Sequence, residues 1–139
     1  MRFLVLILLL LSLSSVSAAP VPKNKKLPLA EQILGAWAVE SRETDGGKNK
    51  DNEGTTWTIS EGQLVSNRGG TPNTWVLTLD TEADPAKYQL TIGGSGYTGI
   101  MEIDGDTLRV CHTMVGIRPK EFSTKEGAEI VILKRTTRP

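Results

Sequence analysis

The chain has 139 residues, 16 basic and 16 acidic side chains, one cysteine and one histidine. The balanced charge excludes the broad basic field of a nucleic-acid-binding domain. A single cysteine excludes an intrachain disulfide framework, and one histidine beside it leaves too few ligands for the usual zinc centre.

Met1-Arg2 gives a positive start, Phe3 to Leu11 runs without a polar residue, and Ser12 to Ala19 is small and weakly polar before Pro20. These are the three parts of a secretory signal peptide, with Val16 and Ala18 suited to flank a cut after Ala18. The apolar run is far shorter than the roughly 20 residues that cross a bilayer, so no membrane span is expected. The plan is therefore a signal peptide over 1–18, a flexible leader with a short helix over 19–33, and one domain over 34–136. Such a protein is expected to be secreted or periplasmic. The lysines at 23, 25 and 26 lie among prolines and read as a solvated tail. The remaining length is ordinary for one domain and is enough to bury a core without a metal or disulfide.

Leu29 to Leu34 is expected to form a short helix before Gly35. From Ala36 to Thr44 the pattern alternates, with Trp37, Val39 and Ser41 on one face and Glu40 and Arg42 on the other. Asp45 to Gly54 reads as a polar loop. Alternation resumes with Trp57 and Ile59, turns at Ser60-Glu61-Gly62, and returns briefly over Gln63 to Ser66. Trp75, Leu77 and Leu79 share a face, as do Tyr88, Leu90 and Ile92. Gly93-Gly94-Ser95-Gly96 can hold a tight bend. After the strand from Tyr97 to Ile103, Asp104-Gly105-Asp106 is the clearest hairpin signal. The returning strand places Leu108, Val110 and His112 together, with Arg109 and Cys111 opposed. An irregular stretch follows, with a short strand expected near Phe122, and Ile130 to Arg135 closes the chain. Eight or nine short strands with frequent turns indicate an all-β barrel or sandwich.

Four blocks carry a resemblance: Leu34-Gly35-Ala36-Trp37, Ile103 to Cys111, Arg118 to Ser123, and Ile132-Leu133-Lys134-Arg135. In this order they resemble a lipocalin-like domain family seen in many copies in planctomycete-type bacteria, a family of unknown function. The resemblance runs from about Leu34 to Arg135 and implies a small lipocalin-like antiparallel barrel of about eight strands, with a short helix before the first. Gly35-Ala36-Trp37 is similar to the Gly-x-Trp motif with which the wider superfamily opens its first strand. The resemblance also implies a basic residue from the last strand over that Trp, a place matched by Arg135 or, as the alternative, Lys134. A guanidinium can lie flat on an indole while donating to nearby carbonyls, sealing that end of the barrel. The chain is shorter than better-known superfamily members and lacks a long helix before its last strand. That weighs against a wide ligand calyx but not against the barrel.

Candidate chemistry is sparse. Trp57, Trp75, Leu90, Tyr97 and His112 could line a ligand pocket, although alternating strand positions also suit plain core residues. Cys111 and His112 are adjacent in sequence, which on a strand sends them to opposite faces, so they form no dyad. Asp45, Asp51 and Glu53 do not match a calcium loop, and Asp104 and Asp106 are explained by their turn. Gly94-Ser95-Gly96 lacks the context of a nucleophile elbow or a phosphate loop. The expected function is a non-enzymatic barrel without cofactor or metal, binding a small apolar ligand or a protein partner. A small hydrolase or isomerase using His112 with a nearby carboxylate, such as Glu102, is the alternative, and an adhesion or assembly module the third.

Overall fold

The computed structural model describes residues 27–114 and 116–137. The signal peptide and most of the leader expected above lie outside the described residues. A short helix, α1 (Leu29–Gln32), leads into nine strands: β1 (Gly35–Thr44), β2 (Gly47–Lys50), β3 (Thr56–Ser60), β4 (Gln63–Arg68), β5 (Thr71–Asp80), β6 (Ala86–Ile92), β7 (Ser95–Asp104), β8 (Thr107–Thr113) and β9 (Glu129–Thr137). Every pairing is antiparallel between chain neighbours from β3 to β9, and β1 bonds to both β3 and β9. Eight strands thus close into a barrel, while β2 extends β1 beyond the start of β3. The barrel is consistent with a lipocalin-like fold.

Alternation accounts for the interior. Trp37, Trp57, Ile59, Leu64, Tyr88, Leu90, Met101, Leu108, Val110, Val131 and Leu133 form one apolar core. The opposite face of β7, β8 and β9 is also covered. Ile100, Cys111, Ala128 and Ile130 make a second buried cluster with Phe122 and Ile132 against it. Phe122 lies under the Arg109 guanidinium, 4.0 Å from its ring centre, and forms no strand. The stretch after β8 is therefore a cover for an outward apolar face. Burial pushes the Cys111 thiol up, and its Sγ donates to the Ser123 carbonyl, consistent with an inert side chain.

Three local departures from simple reading matter. The polar stretch after β1 contains β2, whose Gly-Lys-Asn-Lys sequence has little strand preference and is held by ladder bonds to β1. In the β7–β8 hairpin, Asp104 pairs with Thr107, so the turn is Gly105-Asp106 and its positive φ of 58° falls on glycine. Most consequential is a bulge in β1: Val39 opposes Leu133, but Ser41 opposes Ile132, leaving Glu40 as an extra residue. Beyond it the parity reverses, and Arg42, opposite the core residue Val131, turns inward. The sequence expectation had Arg42 on the face away from Trp37, because strict alternation has no place for a bulge.

The α1 end of the barrel is shut. Trp37 is fully buried, and its indole N–H donates to the Ile33 carbonyl at 2.8 Å. Arg135 lies over the ring, with its guanidinium carbon 4.2 Å from the ring centre. It also donates to the carbonyls of Leu34 and Gln32, and its Nε donates to Asp106 Oδ1 at 3.2 Å. Lys134 points away and donates to Thr107. Replacing Arg135 with Met keeps a long stem but deprives those carbonyls of their donors. R135M is expected to lower unfolding stability by about 2 kcal/mol in urea titration; a loss below about 0.5 kcal/mol would show that packing alone seals this end.

Candidate functional site

The other end of the barrel is polar. Tyr88 on β6, Gly99 on β7, His112 on β8 and Glu129 on β9 stand in cross-strand register, and the bulge brings Arg42 on β1 beside Glu129. These positions form a belt around the inner wall. Glycine at position 99 is what lets it close. A Cβ there would lie 2.4 Å from the Cys111 carbonyl oxygen, 2.7 Å from His112 Cβ and 2.9 Å from Tyr88 Cε1. Without that carbon, Tyr88 Oη meets His112 Nδ1 at 2.5 Å across the intervening strand.

Hydrogen-bond roles follow from burial. Tyr88 is buried, which raises its phenol pKa well above the ordinary value, with the Cys111 and Glu129 charges acting in the same direction. The phenol therefore keeps its proton, and its oxygen shares a hydrogen bond with Nδ1 whose direction follows the imidazole tautomer. The tautomer in which the phenol donates to Nδ1 carries its hydrogen on Nε2. That atom is buried without a hydrogen-bond partner, and the nearest Glu129 oxygen is 3.7 Å away. Glu129 accepts instead from Arg42 Nη1 at 2.8 Å. Burial alone would raise the Glu129 pKa, but His112 and Arg42 outweigh it and hold the carboxyl down at about 2. Arg42 Nε, like His112 Nε2, is buried without a partner.

A cavity of about 170 Å³ adjoins this belt. All five candidate pocket residues, Trp57, Trp75, Leu90, Tyr97 and His112, line it. The His112 ring lies 4.3 Å from the Tyr97 ring centre, and Trp75 lies 5.5 Å from Tyr97. Sequence reading did not find the polar half of the lining: Arg42, Thr55, Ser66, Arg68 and Asn73. The Trp75 indole N–H donates to Ser66 Oγ at 3.0 Å. Arg68, on the exposed rim, pairs with Glu53.

Glu102 is not the partner of His112. It faces outward, where Arg109 holds it at 2.7 Å, because β7 parity puts Met101 inside and Glu102 outside. The carboxylate that meets His112 is Glu129. In the sequence its only cue was a place one residue before an apolar strand, and its register with β8 could not be counted through the irregular cover. Asp51 spends its oxygens on the loop backbone, accepting from Glu53 N at 3.2 Å and Thr55 N at 2.7 Å. Among the described residues no group of three or more His, Cys, Asp or Glu side chains is placed to hold a metal ion. No helix among them is long and apolar enough to cross a membrane.

Two substitutions test this construction. G99A is expected to cost about 1–3 kcal/mol through overpacking between Tyr88 and His112; wild-type stability in urea would contradict the close approach. Glu129 tests the charge. Its folded pKa of about 2 lies below the ordinary 4.5, so its contribution is complete above the higher value and is lost as pH falls towards the lower. Glu129→Gln is expected to destabilise by about 2 kcal/mol at neutral pH. Its unfolding midpoint should also fall less steeply than wild type between about pH 5 and pH 2. Parallel pH curves would assign the acid sensitivity to other groups.

Comparison of the chain with protein-family models, with curated proteins and with solved structures returned no match.

Proposed function

We propose that the polar end of the barrel is a binding site for one small molecule, and that the protein works by holding that molecule rather than by transforming it. The observation that carries this reading is a cavity of about 170 Å³ at the polar end, lined by three aromatic rings together with the side chains of Arg42, Arg68 and His112. A concave site that combines aromatic rings with a few convergent polar groups suits one small ligand. The cavity is smaller than the roughly 300–1,000 Å³ of drug-sized sites, which limits the occupant to a single small ring. Its lining is too polar for the apolar ligand expected from the sequence to be the best fit. The four sequence blocks and the closed barrel together support membership of the lipocalin-like domain family. The leader supports release outside the cytoplasm, secreted or periplasmic, after a cut near Ala18.

Acid–base catalysis at His112 is the second reading. A buried imidazole beside a carboxylate gives it more direct support than the cavity gives to an apolar ligand. Against it stands the Tyr88 hydrogen bond, which occupies Nδ1, and the burial of Nε2 beside Glu129, so that neither ring nitrogen is open to a substrate in the cavity.

Titration with a set of single-ring aromatic compounds, followed by tryptophan fluorescence and intact-complex mass spectrometry, tests the reading. At least one compound is expected to quench Trp57 and Trp75 saturably at one molecule per chain, and Ser66→Phe, which fills the cavity, to abolish the response. No saturable quenching at millimolar concentration, or equal quenching of S66F, would overturn it. Conversion of a bound compound that disappears in H112Q would replace it with the catalytic reading.

A further inference from the structure

The inference rests on the binding reading above and names the chemistry of the molecule bound. We propose that the cavity selects a planar, single-ring aromatic carboxylate, with the ring among Trp57, Trp75 and Tyr97 and the carboxylate turned to Arg42, Arg68 and His112.

One side of each guanidinium is already occupied. Arg42 gives Nη1 to Glu129, and Arg68 gives Nε and Nη2 to Glu53. Both carboxylates line a separate groove at the rim, together with Asp51, whereas the cavity itself is lined by the two arginines and by no carboxylate. Each arginine is therefore paired with a fixed anion and still borders the cavity. A guanidinium has five N–H donors in a planar fork that matches a carboxylate.

The remaining polar groups point the same way. His112 is buried, with Nε2 3.7 Å from Glu129 Oε2, and its ring borders the cavity beside Tyr97. Ser66 Oγ already accepts from Trp75, which leaves its own hydrogen free to donate. With two guanidinium groups and no carboxylate on its lining, the wall favours an acceptor-rich guest over an ammonium. Shape completes the class. Trp75 and Tyr97 are tilted at 58° with centres 5.5 Å apart, and Leu64 and Leu90 add apolar surface, which suits a flat apolar body carrying one charged end. About 170 Å³ admits a ring of this kind and little more.

Nuclear magnetic resonance titration of the isotope-labelled protein with benzoate, benzamide, benzylamine and toluene, probes of nearly equal size, separates the possibilities. Benzoate is expected to shift the Trp57 and Trp75 indole N–H signals saturably, and benzylamine to bind at least about tenfold more weakly. Raising the salt from about 0.05 to 0.5 M is expected to weaken benzoate several-fold and leave toluene unchanged. Arg68→Met, on the exposed rim where loss of an ion pair costs little stability, is expected to weaken benzoate about tenfold without weakening toluene. Toluene or benzylamine binding as tightly as benzoate would overturn the carboxylate class while leaving a binding site in place. Failure of all four probes, together with silence from the wider aromatic set, would overturn the class and the binding reading together.

Discussion

A carboxylate can be kept in the inner wall of this barrel only because a guanidinium reaches it from the adjoining strand. Without Arg42 the partly buried Glu129 carboxylate would lose its hydrogen-bond donor and keep only His112 beside it, 3.7 Å away. The ion pair in turn depends on the β1 bulge at Glu40, since an unbroken alternation would send Arg42 to solvent. One extra residue in one strand therefore decides whether the barrel has a polar end at all. Bulges recur where a strand must re-aim a side chain, and here the re-aimed side chain borders the cavity.

The two ends of the barrel answer the same physical demand differently. At the α1 end a cation is spent on closure: Arg135 covers Trp37 and satisfies carbonyls that the short helix leaves open. Every donor of that guanidinium nitrogen set that the structure records has an acceptor in the protein. At the other end Arg42 satisfies Glu129 with one nitrogen and keeps Nε unpaired. The contrast argues that the first end is finished as structure and the second is not. Gly99 belongs to the same logic, because a side chain there would separate Tyr88 from His112 and break the hydrogen bond at Nδ1.

Alternation made the apolar interior legible from the sequence. Trp57, Leu77, Tyr88, Leu90, Leu108 and Val110 all lie where a two-residue period puts them, and Cys111 lies on the opposite face beneath its own cover. The aromatic half of the cavity was legible for the same reason. The polar half was not, and the cause is register. Arg42 needed a bulge that no residue type signals, and Glu129 needed a strand pairing across an irregular stretch whose length hides the count. Glu102 was the nearer carboxylate in sequence to His112 but lies on the wrong face of its own strand. The four-residue β2 was missed because Gly, Lys and Asn carry no strand preference, and only pairing to β1 makes it one.

The size of the cavity follows from the same side chains that line it. In a barrel of eight strands the interior is just wide enough either to be filled or to hold one small guest. Trp57, Trp75 and Tyr97 occupy most of the width at the open end, and the apolar column from Trp37 to Leu133 fills the remainder. Discrimination by volume is therefore weak, since a ring with one methyl more or less changes binding by only about 1–3 kcal/mol. A buried donor left unpaired by the wrong guest discriminates more strongly, because its desolvation is not recovered. On the binding reading proposed above, the guanidinium groups of Arg42 and Arg68 supply the selectivity in so small a site, and the rings serve chiefly to orient the guest.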